Sequence, residues 1–321
     1  MEQRRLPANS RPSASDGLEE PHVASPKTAR CRICDEATSP SFDALVLGRH
    51  RVGYHTCGSC GFLQTDEPFW LKEAYAAPIA SVDVGLLSRN AANADATSLL
   101  IDRLLPQAER FLDHGGGYGI FTRMMRDRGY AFLHHDPHCE NLFAPQHGCQ
   151  PQAFDRAFDL TTAWEVFEHL VDPVATAREV LGFSRVLLFS TVLQPAAEIR
   201  SAEDWWYLVP ETGQHVGFYT VDALHRLAER CGACLRSDGT NLHTLSREPL
   251  PRDPFASAPP TPRGPGRRSL LDADFADAMT RLRLRQAEPI GAATKPRQIT
   301  RPSREAPSAK RLPGAGRSAP A

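Results

Sequence analysis

The sequence lacks any long apolar run and any strong excess of one charge. No stretch approaches the roughly 18 apolar residues that a membrane-spanning helix needs, and no apolar segment follows Arg4 and Arg5. We therefore expect a soluble, cytoplasmic protein with no membrane partner. Aromatic residues make up only 8% of the 321 residues, but 41% are hydrophobic, which suffices for the core of one or two domains.

The near-zero net charge hides an asymmetry along the chain. Residues 31–248 carry 18 Lys and Arg against 28 Asp and Glu, a net charge of −10, whereas residues 249–321 carry 14 against 6, a net charge of +8. An acidic central region argues against a broad nucleic-acid surface there. A nucleic-acid partner is therefore not expected, and the oligomeric state is left open.

Both ends of the chain are poor in periodic apolar patterns. Residues 1–30 are rich in Pro, Ser, Ala and Arg, and residues 249–321 hold 13 of the 27 prolines. Such compositions are typical of disordered segments, and we predict disorder at both ends, with one short helix over residues 270–284. The basic tail offers a contact for nucleic acid or an acidic partner, but solvated disorder is the favoured interpretation.

Cysteine is plentiful, yet its arrangement does not suggest a disulfide framework. Two C-x-x-C pairs frame a segment whose apolar pattern predicts a β-hairpin, and each pair curls so that two thiolates face one ion. This spacing predicts a closed zinc ribbon over residues 31–75, structural rather than catalytic. Its four ligands are Cys31, Cys34, Cys57 and Cys60. Unrelated buried thiols are the alternative.

A glycine cluster follows the apolar run that ends in Asp113. Gly115, Gly117 and Gly119 allow a sharp turn with positive φ, and the helix that follows presents free N–H groups to an anionic ligand. The dinucleotide fingerprint G-x-G-x-x-G would place its third glycine at Ile120. The spacing therefore argues against a nicotinamide dinucleotide.

Strands and helices alternate through residues 76–248, which predicts an α/β domain with a Rossmann-like, doubly wound sheet. Asp136 ends the second strand, where an acid can accept hydrogen bonds from ribose hydroxyls. A turn role before Pro137 is the alternative. A third strand near residues 152–154 is weakly indicated.

Two later segments carry the candidate catalytic groups. Glu168 and His169 follow the strand at residues 158–164, and an aromatic-rich loop over residues 203–219 contains Tyr207 and His215. An oxygen or carbon nucleophile usually needs a proton acceptor, for which His169 and His215 are the candidates, with Glu168 and Tyr207 as partners. Packing or capping is the alternative role for His169.

Taken together, residues 31–248 resemble the zinc-ribbon-bearing class I S-adenosylmethionine-dependent methyltransferases found among bacterial sugar and polysaccharide genes. The resemblance is more distant to the sugar C-methyltransferases that place a zinc domain before the methyltransferase fold. The motifs that carry it are the four cysteines, Asp113–Gly119, Trp164–His169, Trp205–Tyr207, Gly213–His215 and Phe218–Tyr219.

The resemblance implies S-adenosylmethionine and Zn²⁺ as cofactors and a small-molecule acceptor, such as a sugar nucleotide or polysaccharide precursor. It implies that the three turn glycines line the methionine end of the cofactor and that Trp164 and Glu165 lie against it. Asp113 belongs to the same motif. Many relatives hold the adenine amine with an acidic residue after the third strand. Residues 146–154 contain no clear counterpart of that acid, so the adenine contact is unassigned.

Two other functions remain open at this stage. A zinc-ribbon methyltransferase that binds RNA would use the basic tail, and a nicotinamide-dependent enzyme would modify a sugar. The acidic centre weighs against the first, and the glycine spacing weighs against the second. The sequence does not distinguish methylation of carbon, oxygen or nitrogen.

Overall fold

The computed structural model describes residues 30–76, 83–155, 157–256 and 267–287. The disorder predicted for residues 1–29 and for most of the C-terminal tail lies outside these ranges. The chain forms two compact units, residues 1–272 and residues 273–321. In the described part, no helix is both long enough and apolar enough to cross a membrane.

A small antiparallel sheet contains the predicted hairpin. Its strands are β1 (Thr38–Val46), β2 (His50–Cys57) and β3 (Leu63–Thr65). Its fourth strand, which we number β8 (Gly217–Phe218), comes from the aromatic-rich loop and pairs with β3. Residues well beyond the predicted ribbon thus complete its sheet.

The larger sheet has six strands and confirms the predicted α/β fold. They are β4 (Phe111–His114), β5 (Phe132–His135), β6 (Leu160–Ala163), β7 (Val186–Ser190), β9 (Cys234–Ser237) and β10 (Leu242–Ser246). Their order is β5-β4-β6-β7-β10-β9, and the first four run parallel. The carboxyl ends of β4, β5 and β6 therefore lie along one edge, where ligands bind in open α/β sheets.

Helices cover both faces of this sheet. They are α2 (Leu86–Leu104), α3 (Ile120–Asp127), α4 (Pro173–Phe183) and α5 (Val221–Cys231), whereas the short helix α1 (Leu71–Ala74) packs against the small sheet. In β7, Leu187 and Phe189 join the apolar cluster of α4 and α5, whereas Val186 and Leu188 join that of α2 and α3. Alternate side chains of one strand point to opposite faces, so the sheet is buried on both sides.

Local sequence explains where two helices start. Asp172 caps α4 by accepting a hydrogen bond from Ala175 N at 2.9 Å, with Pro173 as the first helical residue, as predicted. Thr220 caps α5 in the same way through Ala223 N, at 3.0 Å. The helix α6 (Leu271–Ala287) lies close to the range predicted within the C-terminal tail.

One predicted element is wrong. Residues 152–154 form no strand, and a 3₁₀ turn (Pro151–Ala153) occupies this segment. Pro151 removes a backbone donor, and the nearest parallel contact to β5 is a single bridge between His134 and Gly148. The sheet therefore ends at β5 among the described residues.

Candidate functional site

The glycine turn lies between β4 and α3, as predicted. Gly115, Gly117 and Gly119 have φ values of 68°, 55° and 82°, the left-handed region that side chains disfavour. A Cβ on Gly115 would lie 2.7 Å from Cγ2 of Val166. The turn thus packs directly on the segment that follows β6.

Asp113 lies behind the turn and bonds to protein groups. Its carboxylate accepts hydrogen bonds from Oγ1 of Thr122 at 2.9 Å and Oγ1 of Thr162 at 3.2 Å. The side chain is fully buried, and this burial raises the pKa of Asp113 to about 6. Asp113 joins β4, β6 and α3 beneath the turn, while direct contact with a cofactor stays a prediction.

Asp136 lies at the end of β5 and fastens the turn from the other side. Its Oδ2 accepts a hydrogen bond from Gly117 N at 2.9 Å, and its Oδ1 accepts from His138 N at 2.8 Å and Cys139 N at 3.0 Å. A carboxylate has about four acceptor positions, so capacity for a ribose hydroxyl remains. The alternative turn role is present, and the ribose role stays a prediction.

Glu165 adopts an unusual backbone conformation just after β6. Its φ is 53°, and its N–H donates to Oγ of Ser190 at 2.8 Å, while that hydroxyl donates to Oε1 of Glu165 at 2.6 Å. Nε of Arg89 lies 3.6 Å from Oε2 of Glu165, and Arg89 also bonds to Oδ1 of Asp83. Strained non-glycine residues are enriched at ligand sites, so this arrangement marks a candidate cofactor wall.

Trp164 stands beside Glu165 with its indole directed toward α3. Its ring centroid lies 5.5 Å from that of Phe121, and its buried Nε1 has no hydrogen-bond partner in the described structure. A buried donor without a partner is costly unless a ligand completes it. The predicted contact of Trp164 with a cofactor is compatible with this geometry but is not tested by it.

The structure brings Glu168, His169 and His215 together. One ligand-type atom from each lies within 4.8 Å of the others, and the two imidazole centroids are 4.9 Å apart. Nε2 of His169 lies 4.0 Å from Oε1 of Glu168. The groups come from the 3₁₀ turn Phe167–His169 and from the loop before β8.

Each imidazole is oriented through its Nδ1 atom. Nδ1 of His169 lies 3.0 Å from the Gln214 carbonyl oxygen, and Nδ1 of His215 lies 2.7 Å from the Tyr207 carbonyl oxygen. A carbonyl only accepts, so we assign the proton of each ring to Nδ1, which leaves Nε2 with a free lone pair. Burial lowers the pKa of His169 to about 3 and that of His215 to about 4, so both rings are neutral near pH 7.

Glu168 is the most unusual group in the cluster. Its side chain is fully buried, yet neither carboxyl oxygen makes a hydrogen bond in the described structure. Burial, together with the nearby charge of Glu165, raises the pKa of Glu168 to about 8. The hydroxyls of Tyr207 and Thr191 make no hydrogen bond in the described structure, but they favour the carboxylate form of Glu168 and so lower its pKa.

Sequence reasoning missed several neighbours of the cluster. The hydroxyl of Tyr75 lies 2.8 Å from Nδ1 of His169. Ser190 is the last residue of β7, and Thr191 comes directly after it. Asp83 precedes α2, and Arg89 lies near the start of that helix. Both belong to a polar stretch of the sequence, and this polarity was the only sequence feature that pointed to them. Nothing in the sequence near Tyr75 distinguishes it from an ordinary surface residue.

The four cysteines meet as predicted at the tip of the small sheet. Sulfur–sulfur distances are 3.6 Å for Cys31–Cys60, 3.4 Å for Cys34–Cys57 and 3.6 Å for Cys34–Cys60. Bonds of about 2.3 Å to one tetrahedral zinc ion would separate sulfurs by roughly 3.8 Å. The spacing therefore fits a closed four-thiolate site.

Comparison with known proteins agrees with this fold. Residues 88–237 match the sequence model of a family described as a methyltransferase domain. This range begins in α2, ends with β9 and contains the glycine turn and the Glu168–His169–His215 cluster. No curated protein matches the chain.

Solved structures with a similar fold include several methyltransferases. Mitomycin 7-O-methyltransferase MmcR is 14% identical with a TM-score of 0.38, over 56% of this chain and 60% of that chain. An O-methyltransferase family protein from Burkholderia thailandensis is 12% identical with a TM-score of 0.39, over 57% of this chain and 68% of that chain.

The O-methyltransferase NcsB1, from neocarzinostatin biosynthesis, was solved with S-adenosyl-L-homocysteine and is 12% identical with a TM-score of 0.39. The match covers 55% of this chain and 61% of that chain. The chain thus spans about 60% of the length of the first structures it matches. Residues 88–237 are thus similar in sequence to a methyltransferase domain, and their α/β architecture agrees with that match.

Proposed function

We propose that the chain transfers a methyl group from S-adenosylmethionine to a small-molecule acceptor. The observation that carries this proposal is the contact of Val166 with Gly115, because it joins the cofactor-type turn to the Glu168–His169–His215 cluster. A methyl donor on the turn would thus lie next to groups that can accept a proton. The family match over residues 88–237 supports the same reaction.

The cofactor would be held along the edge formed by β4, β5 and β6. In this proposal Gly115, Gly117 and Gly119 line its methionine end, and Asp136 accepts from its ribose. Trp164 and Glu165 form the opposite wall. The carboxylates of Asp136 and Glu165 also suit a cofactor that carries a positive sulfonium, because opposite charges attract strongly where water is partly excluded.

The reaction itself asks little covalent chemistry of the protein. Methyl transfer is an in-line displacement, so positioning of acceptor, methyl and sulfur contributes much of the rate. The acceptor must also lose a proton, and in this proposal the Nε2 lone pair of His169 or His215 receives it. Both rings are neutral near pH 7 because burial lowers the pKa of each, so the loaded site must raise that pKa for the step to proceed. Oε1 of Glu168 lies 4.0 Å from Nε2 of His169, and the Tyr207 carbonyl oxygen accepts from Nδ1 of His215.

A sugar nucleotide or polysaccharide precursor is the acceptor class that we favour. Trp206 is 73% exposed, and its ring lies 5.4 Å from that of Tyr207. A groove of about 470 Å³ next to it is lined by Trp206, Asp43, Glu203 and Glu211, among others. An open aromatic face bordered by acceptors suits a ring that carries many hydroxyls.

The histidine assignment is tested by His169→Ala and His215→Ala. We expect each variant to bind S-adenosylhomocysteine as the wild type does and to lose about 10² in turnover or more, the usual contribution of a general base. Binding is measured by calorimetry and turnover with a panel of sugar nucleotides. The exposed His225 on α5 provides a control, since His225→Ala should change neither quantity. Full activity of both single variants would reject the assignment.

We further propose that Cys31, Cys34, Cys57 and Cys60 bind one structural zinc ion. Four thiolates leave no open coordination position, so this ion would take no part in the reaction. Elemental analysis of the purified chain should find zinc, and Cys57→Ser should lower the content by one equivalent. Protein purified without metal and still fully folded would contradict this proposal.

A further inference from the structure

We infer that Glu168, His169 and His215 form a second metal site, which binds a divalent transition-metal ion through one carboxylate and two imidazoles. The site is distinct from the cysteine cluster in both ligand type and position. Its existence does not depend on the proposed methyl transfer. Its role does rest on that proposal: the ion would hold the acceptor beside the methyl donor and, because it occupies both Nε2 lone pairs, would replace the two histidines as proton acceptors by lowering the pKa of the bound acceptor.

The two imidazoles are prepared as ligands. Metal-bound histidines generally donate their second ring N–H to a carbonyl or carboxylate, which fixes the tautomer and the orientation of the ring. Here the Nδ1 atoms of His169 and His215 meet the carbonyl oxygens of Gln214 and Tyr207 at 3.0 Å and 2.7 Å. Both Nε2 lone pairs are therefore free to bind an ion.

Glu168 is the second, independent observation. A fully buried carboxyl group whose two oxygens have no hydrogen-bond partner in the described structure is costly in either protonation state, because its polar atoms are neither solvated nor paired. The adjacent carboxylate of Glu165 adds a repulsion of the same sign. A bound cation would offset both charges and occupy the acceptor positions that no protein group fills.

The position of the cluster also fits a ligand site. Tyr75, which lies 2.8 Å from Nδ1 of His169, experiences the charges of both Glu168 and Asp136. The cluster therefore lies near the acid proposed to bind the cofactor ribose. A cation there would lie close to the site of methyl transfer.

The ligand set selects the class of ion. Two imidazoles and one carboxylate are typical of Zn²⁺ or non-haem Fe²⁺ sites with open positions, whereas Mg²⁺ and Ca²⁺ prefer oxygen ligands. The current atom separations of up to 4.8 Å must shorten on binding, since ions of this class hold ligands at about 2.0–2.2 Å.

A cobalt titration tests the inference. The full chain, produced without a histidine tag and stripped of metal, is titrated with Co²⁺ and followed by absorbance. A four-thiolate site gives an intense sulfur-to-metal charge-transfer band in the near ultraviolet, whereas a site of nitrogen and oxygen ligands does not. We expect two equivalents to bind, one with this band and one without it.

Variants assign the second equivalent. Glu168→Gln keeps the size of the side chain, and both Glu168→Gln and His215→Ala should lose the equivalent that gives no charge-transfer band. The thiolate band, which should persist in both, reports that they remain folded. Cys57→Ser should show the opposite pattern, and His225→Ala should retain two equivalents.

The same titration can overturn the inference. Glu168, His169 and His215 are not a metal site if the wild type binds only the cobalt equivalent that gives the thiolate band. The same conclusion follows if Glu168→Gln and His215→Ala both still bind a second equivalent. The groups would then act as a metal-free proton acceptor. Calorimetry with S-adenosylhomocysteine is a separate readout, so failure of the proposed methyl transfer remains distinguishable.

Discussion

Gly116 has no side chain, and this allows Asp113 to lie directly beneath the turn. A Cβ at Gly116 would lie 2.5 Å from Oδ2 of Asp113 and 2.7 Å from Cδ2 of His134. Real Cβ atoms do not approach so closely, and both neighbours are buried. Gly116 therefore serves packing, whereas Gly115, Gly117 and Gly119 serve backbone conformation.

We predict that Gly116→Ala destabilises the protein by roughly 1–3 kcal/mol, the usual cost of overpacking a core. Urea unfolding measures the change. Gly148→Ala is the matched control, because nothing lies within 4 Å of the added Cβ and its φ of −68° is ordinary. Equal stability of the two variants would show that the side chains of Asp113 and His134 move aside for the added Cβ at little cost in free energy.

Asp113 also makes stability depend on pH. Burial raises its pKa from 3.8 to about 6 in the folded chain, so between these values the folded state holds more protons than the unfolded state. The contribution of this group to the free energy of unfolding should therefore be greatest below pH 3.8 and fall until about pH 6. A rise of about two units in the pKa of Asp113 corresponds to a change of roughly 3 kcal/mol in the free energy of unfolding.

Asp113→Asn removes this titration and isolates it from other carboxyl groups. We expect the difference in unfolding free energy, wild type minus variant, to fall as the pH rises from about 4 to 6 and to stay level above that. Urea unfolding of both proteins across this range measures it. A difference that does not vary with pH would contradict the raised pKa.

Individual residues were predictable where local chemistry identifies them. The glycine turn and the meeting of the four cysteines were predicted from spacing, because both depend on near neighbours in the chain; the ligand roles of Asp136, the glycines and the cysteines stay predictions. The meeting of His169 with His215 was not predictable, since it depends on how a long loop returns across the sheet. Tyr75 and Arg89 were missed for the same reason.

At the level of elements, apolar runs that end in an acid identified β4 and β5, and a cap of Asp and Pro identified the start of α4. The two-residue strand β8 was not predicted, because Gly217 and Phe218 look like part of the aromatic loop. Its pairing with β3 is set by tertiary contacts. The third predicted strand failed because Pro151 and its neighbours form a 3₁₀ turn instead.

Thr220 joins the ribbon to α5. Its hydroxyl accepts from Ala223 N and donates to the Cys60 carbonyl at 2.7 Å. We predict that Thr220→Val lowers the free energy of unfolding by about 1 kcal/mol through loss of the cap. Thr176→Val is the control, because the half-buried Thr176 donates its side-chain hydrogen bond back to the Asp172 carbonyl at the start of α4. A Thr220→Val loss no larger than that of the control would exclude the capping contribution.

Across the whole of residues 30–256, the ribbon and the α/β sheet share an apolar cluster. Cys31, Cys60 and Phe62 pack in the same cluster as Tyr219 and Leu224. The sequence predicted separate regions at residues 31–75 and 76–248, boundaries that stay predictions. The shared cluster could not be predicted, because it joins segments far apart in the chain.

Metal removal should therefore affect more than the ribbon. We predict that a strong chelator, or Cys57→Ser, lowers the midpoint of the main thermal transition by roughly 5–10 °C, since 1 kcal/mol corresponds to about 2–4 °C in a chain of this size. Calorimetry before and after chelation measures this shift. A transition that does not move on complete loss of zinc would contradict the structural role.

Binding of S-adenosylhomocysteine to the purified chain, measured by isothermal titration calorimetry, tests the central claim most directly. We expect one binding site for S-adenosylhomocysteine per chain, an affinity at least tenfold lower in Asp136→Asn, and no heat on titration with NADH. The absence of heat with both S-adenosylmethionine and S-adenosylhomocysteine, together with clear binding of NADH, would contradict it.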